Sequence, residues 1–286
     1  NEICGQLYNQ GRRTAQIGRH VVYRYEAGFI GAGSMGGALA EAAVKGAGAE
    51  KVAVSCSTPL STQRAAVRIG CAAATAQEVL RESRYVFLGV KPQMIEDVAA
   101  ALAPDIRESG AVFVSMLAGV TLARLEELLG EKKIIRIMPN TPCAVGSGLI
   151  LHCANARVRA DEDAAFAELM RCAGALDRLE ERLIDAASTV SGCGPAYVYM
   201  FIEALADGAV KCGLPRAKAL DYAAKTLIGS AEMVLRSGKH PEQLKDEVCS
   251  PGGSTIAGVA ALENGAFRAA CIAAVDAAYE KTKKLG

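Results

Sequence analysis

With 286 residues, 51% of them apolar and 22% charged, the chain is long enough for two domains that each bury a core. A net charge of +1 and the lack of any Lys/Arg-rich stripe argue against a polyanion partner, so no nucleic acid is expected. No run of about 18 apolar residues exists, so no membrane span is expected. The ten cysteines are scattered without a CxxC pair, and His20, His152 and His240 lie far apart. No metal site is expected; reduced thiols in a cytoplasmic protein are.

Residues 1–25 hold Arg12, Arg13 and Arg19 without a continuous apolar segment, which is not a secretory-signal pattern. They are read as an extension of unknown role. From Glu26 the pattern turns regular. AGFIG (27–31) predicts a strand, followed by a glycine-rich turn and an alanine-rich helix over 35–45. KVAVS (51–55) predicts a second strand, and Pro59 opens the next helix. RYVFLGV (84–90) is an apolar strand followed by a helix from Pro92 to about Leu102. AVFVSML (111–117), the helix TLARLEELL and the strand KIIRIM (133–138) continue the alternation. LILH (149–152) and a helix over 160–174 are expected to extend the sheet at its edge. Short apolar strands alternating with helices indicate an α/β fold, a doubly wound parallel sheet covered on both faces.

After about Glu181 only helical patterns remain: 195–212, 215–236, 241–247, 255–263 and 266–284. Pro195, Pro215 and Pro241 each stand where a helix would begin. The segment 195–212 is apolar on nearly all sides apart from Glu203, Asp207 and Lys211. Such a helix must be buried all round, more than a domain of this size can manage alone. A partner subunit is therefore expected, with burial in the monomer core as the alternative.

Gly31-Ala32-Gly33-Ser34-Met35-Gly36 fits G-x-G-x-x-G between the first strand and its helix. Gly31 permits the tight turn, Gly33 lets the backbone approach a pyrophosphate, and Gly36 lets helix and strand pack closely. The first-turn N–H groups are then free for phosphate. This defines a Rossmann-type domain over 26–181. An NAD-selective site places an acid about 20 residues past the glycines. Here the chain offers Ser55, Cys56, Ser57 and Thr58, with no acid until Glu78. The three hydroxyls and Arg64 can take a 2′-phosphate, so NADP is the expected cofactor and NAD the alternative. Gly89-Val90-Lys91-Pro92 and Ala118-Gly119-Val120 follow two further strand ends, the side on which open α/β sheets bind ligands.

In the helical half, Val248 to Ile256 contains Ser250-Pro251-Gly252-Gly253-Ser254-Thr255. The turn and the N–H groups of the following helix can hold a carboxylate without a charged side chain. Equally, the segment can be a helix connection capped by Ser254 or Thr255.

From about Ala27 to Leu285 the chain resembles the pyrroline-5-carboxylate reductases. The matching segments are GFIGAGSMGGALA, LGVKPQ, MLAGVTL, RIMPNTP, SGCGPAYVYMFIEALADGAVKCGLP and DEVCSPGGSTIAGVAALE. The resemblance implies an N-terminal Rossmann domain and an all-α dimerisation domain over 182–286, interlocked with a second subunit and often assembled into decamers. It implies that backbone N–H groups of the PGGST loop hold the substrate carboxylate, with the Thr255 hydroxyl at the ring nitrogen as the catalytic contact. It also implies contacts from Glu181 and Val248. Ala76 and Glu247 depart from the family, which often has Asn at these cofactor-side positions. The implied reaction is reduction of 1-pyrroline-5-carboxylate to L-proline, the last step of proline biosynthesis.

Two other readings compete. A β-hydroxyacid dehydrogenase or related imine reductase would need a catalytic Lys on the interdomain helix. The only Lys of segment 195–212 is Lys211, near its end. A dinucleotide-binding scaffold without turnover would have no use for the PGGST loop.

Overall fold

Runs of β-branched and aromatic residues alternate with helix formers along the first two thirds of the chain, and in the computed structural model, which describes residues 23–284, they build one eight-stranded sheet. The strands are β1 (Tyr25–Ile30), β2 (Val52–Ser55), β3 (Ala72–Ala73), β4 (Ser83–Leu88), β5 (Val112–Ser115), β6 (Lys133–Met138), β7 (Gly148–Ala154) and β8 (Gly174–Arg178). Their order is β3-β2-β1-β4-β5-β6-β7-β8. The direction of progression reverses between β1 and β4, which opens a crevice at the carboxyl ends of those strands.

Helices α1 (Ser34–Ala47), α2 (Pro59–Ile69) and α7 (Ala160–Met170) cover one face. The other is covered by α3 (Ala76–Glu82), α4 (Ile95–Ala101), α5 (Ala103–Glu108) and α6 (Leu122–Leu129). Phe29 and Phe87 stack at 4.3 Å between ring centroids at the heart of the first layer. Each such buried side chain contributes about 1.5–3 kcal/mol by leaving water.

The sheet departs from the all-parallel expectation at one edge. β7 runs antiparallel to β6 because only a short 3₁₀ turn (Thr141–Val145) joins them, too little chain for a crossover. β8 then lies parallel to β7, reached through α7. The segment set aside as 1–25 also ends earlier than expected. Tyr25 is buried and pairs with Ser83, so it already belongs to β1. Residues 1–22, His20 among them, lie outside the described residues.

Several elements are not expected from the sequence, the two-residue β3 among them. α3 is a seven-residue helix set up by a reciprocal Thr75–Glu78 capping box. β8 has no apolar run, and α8 (Glu181–Ser191) mixes Ser, Thr and charge. The helix expected from Pro92 to about Leu102 is a 3₁₀ turn followed by α4, and a separate helix, α5, begins at Ala103 with Pro104 in its first turn.

Beyond α8 come α9 (Gly194–Lys211), α10 (Arg216–Ser237), α11 (Pro241–Glu247), α12 (Ser254–Asn264) and α13 (Phe267–Thr282). These helices bury little in one chain. Ala206 is the one buried residue of α9, Ala219 and Ala223 those of α10, and α12 and α13 have none. Met200 is 70% exposed and Ile272 64%. Apolar surface on this scale marks an interaction face. Among the described residues no single helix is long and apolar enough to cross a membrane.

Candidate active site

The glycine turn has the geometry its residues imply. Gly31 has φ +97°, and a Cβ there would meet the Gly89 carbonyl oxygen at 2.5 Å. Gly36 faces the Gly31 carbonyl so closely that any side chain would strike it, which lets α1 start directly on the turn. Gly33 has no atom within 4 Å of a built Cβ, so its outer side is open. Gly33 is also the N-cap of α1 and supplies no side-chain acceptor, and the first turn holds no acid. The N–H groups at Ser34 and Met35 therefore face the open side of the turn with the positive end of the helix dipole behind them.

Three more strand ends converge on this turn. The Gly31 N–H donates to the Ser55 carbonyl (2.8 Å), and the Gly89 N–H donates to the Ile30 carbonyl (2.8 Å). Gly31, Ala32, Gly33, Ser57, Thr58, Arg64 and Val90 share a cleft of about 610 Å³. Ser55 and Ser57 also line an adjoining cleft of about 450 Å³ that runs past Ala76 to Glu78. Lys91 and Pro92 follow β4, with Lys91 capping the 3₁₀ turn. Ala118 and Gly119, the latter at φ +76°, form the loop after β5. All expected cofactor positions thus stand along one carboxyl edge of the sheet.

The charges along the cleft favour an anion. Glu78 is the one acid lining the outer cleft, and its Oε2 accepts from the Thr75 N–H (2.7 Å) and Thr75 Oγ1 (2.9 Å). The Thr75 backbone bond, then its hydroxyl, hold the Glu78 carboxyl below its ordinary pKa. Arg68 pairs with Glu41 (2.8 Å). Arg64 is exposed and has no ion-pair partner among the described residues. The residues present therefore fit a phosphorylated dinucleotide.

At the helical end, the Ser250–Thr255 segment is shaped by its two glycines. Gly252 sits at φ +66°, and a Cβ on Gly253 would collide with Ser250 Oγ. The Gly253 N–H donates to the Ser250 carbonyl (3.0 Å), closing the turn. The capping alternative is not realised. The N-cap of α12 is Gly253, without a side-chain cap, and neither Ser254 nor Thr255 makes a side-chain hydrogen bond among the described residues. The first-turn N–H groups and the Thr255 hydroxyl are left exposed together. Val248 is exposed beside the loop and lines a hollow of about 340 Å³ with Met233, Val234 and Glu247.

Glu181, expected to touch substrate, uses one carboxylate oxygen within the fold. Its Oε1 accepts from the Leu122 N–H (2.7 Å) and from Arg136 Nη1 (3.1 Å) at the root of the 116–121 loop. Leu60, Arg68 and Met94 also line the inner cleft and are not expected from the sequence. Gly89, expected in the loop after β4, packs its backbone against the Gly31 carbonyl so closely that no side chain would fit.

An open cleft at the switch point of a doubly wound sheet, joined to a helical domain with an uncapped glycine loop, is the layout of a two-domain nicotinamide-dependent oxidoreductase. The family model described as pyrroline-5-carboxylate reductase dimerisation matches residues 181–285, and that of the NADP oxidoreductase coenzyme F420-dependent family matches residues 26–119. The chain is 42% identical over 262 residues to a pyrroline-5-carboxylate reductase of Escherichia coli, covering 90% of this chain and 97% of that protein. It is 41% identical over 273 residues to one of Glycine max, covering 91% and 96%. The crystal structure of Plasmodium falciparum pyrroline carboxylate reductase with NADP bound superposes with a TM-score of 0.81 at 33% identity, covering 93% of this chain and 99% of that one. The chain belongs to the pyrroline-5-carboxylate reductase family.

Proposed function

We propose that the chain reduces 1-pyrroline-5-carboxylate to L-proline with NADPH, the last step of proline biosynthesis. The uncapped start of α12 carries this reading: free backbone donors and an unengaged Thr255 hydroxyl suit a small ring bearing a carboxylate and a nitrogen. Bound NADPH supplies a hydride. The N–H groups of Ser254 and Thr255 hold the carboxylate, with Ser250, Gly252 and Gly253 shaping the turn, and Val248 packs against the ring. Thr255 Oγ1 accepts from the protonated ring nitrogen and orients the C=N bond. An iminium takes up hydride far better than a neutral imine, so the site needs no strong acid and acts chiefly by orientation. Glu181 supports the cofactor loop through Oε1. A panel of 1-pyrroline-5-carboxylate, 3-hydroxyacids and keto acids tests the function: NADPH is consumed with the cyclic imine alone, and comparable turnover of 3-hydroxyacids with NADP would transfer the chain to the hydroxyacid dehydrogenases.

NADPH is the preferred cofactor, its 2′-phosphate received by Ser57, Thr58 and Arg64. Ser57→Asp sets a negative charge against that phosphate and shifts the kcat/KM ratio toward NADH by about tenfold or more, the equivalent of ~1.4 kcal/mol of repulsion. Steady-state kinetics in which wild type already prefers NADH would refute the assignment.

The helical region is a dimerisation domain. We read its arrangement as a homodimer with interlocked helical domains, open to further assembly into a decamer. The boundary with the dinucleotide-binding domain falls near residue 181, between β8 and α8. We place the protein in the cytoplasm, where the nine free cysteines of the described residues stay reduced; recovery in a membrane or secreted fraction would contradict this.

A further inference from the structure

The RIMPNTP segment (136–142) ends β6 at the carboxyl edge of the sheet, yet the cofactor cleft does not include it. Arg136 lies inside β6 and its side chain is 1% exposed, the largest fully buried side chain of the described residues. Its Nη1 donates to Glu181 Oε1 (3.1 Å) and its Nη2 to Asp185 Oδ1 (2.8 Å). Glu181 and Asp185 are one turn apart on α8, so two carboxylates of the same helix face bracket one guanidinium. The Nε is buried without a partner, which leaves these two pairs to offset the burial of the charge.

Four residues later, Asn140 takes the other end of α8. Its Nδ2 donates to the carbonyl of Ser191, the last residue of α8, at 3.0 Å. Its Oδ1 accepts from the Leu149 N–H of β7 (2.9 Å). One short segment therefore grips α8 at both ends. α8 is the first helix after the sheet; α13 packs on it, and α12, which carries the PGGST loop, packs on α13. Glu181 extends the same grip toward the cofactor. Its Oε1 also accepts from the Leu122 N–H at the start of α6, where the 116–121 loop ends.

We propose that the RIMPNTP segment registers the helical domain against the cofactor loop, with Arg136 as the positioning residue. It acts through Glu181 on the 116–121 loop and through α8 on the substrate loop, so that the two reactants meet at a fixed separation. This rests on the reductase reading above. Lysine keeps the charge but not the two-pronged geometry and cannot hold both carboxylates in place.

The test uses the full-length enzyme and the variants Arg136→Lys, Arg136→Met and Asp185→Asn. Amide hydrogen exchange at Leu122 is followed without ligand. The kcat, the KM for the imine, the NADPH Kd by fluorescence titration and the isotope effect with NADPH deuterated at the transferred position are measured on the same samples. Arg136→Met should speed exchange at Leu122, lower kcat at least about tenfold and raise the isotope effect, with NADPH Kd changed less than about twofold. Arg136→Lys and Asp185→Asn should move every readout in the same direction by less. If Arg136→Met does not fold, Asp185→Asn alone decides, because Glu181 still pairs with the arginine. Losses that only follow the folded fraction, with normal kcat per folded enzyme and normal Leu122 exchange, overturn the proposal. An active wild type with unaffected variants overturns this inference alone, whereas a wild type inert toward the imine overturns the reductase reading along with it.

Discussion

Thr255→Val lowers kcat/KM for 1-pyrroline-5-carboxylate by about ten- to 150-fold, the equivalent of losing a ~1.5–3 kcal/mol hydrogen bond to a charged group. Valine keeps the branching and the volume, and the hydroxyl has no partner among the described residues. The substitution therefore removes a contact to substrate and nothing within the fold, and the thermal midpoint should stay near that of wild type. NADPH binding, which belongs to the Gly31–Gly36 turn, should hardly change. Thr255→Ser retains the hydroxyl and should keep most of the activity. A Val variant that melts earlier yet turns over normally would assign Thr255 to the helix and leave the loop as a carboxylate cradle.

The second large effect concerns assembly. Wild type should elute as a dimer or a multiple of it, because α9, α12 and α13 leave Met200, Ile256 and Ile272 uncovered in a single chain. Placing aspartate at both Met200 and Ile272 would bury two unpaired carboxylates in the subunit interface, each costing several kcal/mol, so assembly should weaken by at least about 100-fold. Imine reduction should fall with it. NADPH binding should survive, since the cofactor cleft lies wholly in the sheet domain. Light scattering on both proteins checks this, and a monomeric, fully active wild type would remove the argument.

The parts of this structure that are legible in the sequence are those fixed by local physics. β6 runs over Lys133–Met138 and α11 over Pro241–Glu247, as their apolar pattern and proline predict. The glycine turn is readable because only glycine fits φ +97° against the Gly89 carbonyl. β8, by contrast, is specified by its pairing with β7, and its GALDR sequence carries no alternation of its own. The reversal of β7 follows from the length of the Thr141–Val145 turn. Whether Ser254 and Thr255 cap α12 could not be decided locally, since both have the right side chain. The backbone at Gly253 decides it. Arg136 reads in sequence as one charge in an apolar strand, and its value comes from Glu181 and Asp185, which lie 45 and 49 residues away.

This chain should move a hydride from NADPH to the ring carbon of a cyclic imino acid. The direct measurement supplies NADPH deuterated at the transferred position together with 1-pyrroline-5-carboxylate and analyses the product by mass spectrometry and NMR. Proline carrying a single deuterium at C5, formed in step with cofactor oxidation, is the expected result. Oxidised cofactor without labelled proline, or label appearing in a hydroxyacid instead, would contradict it.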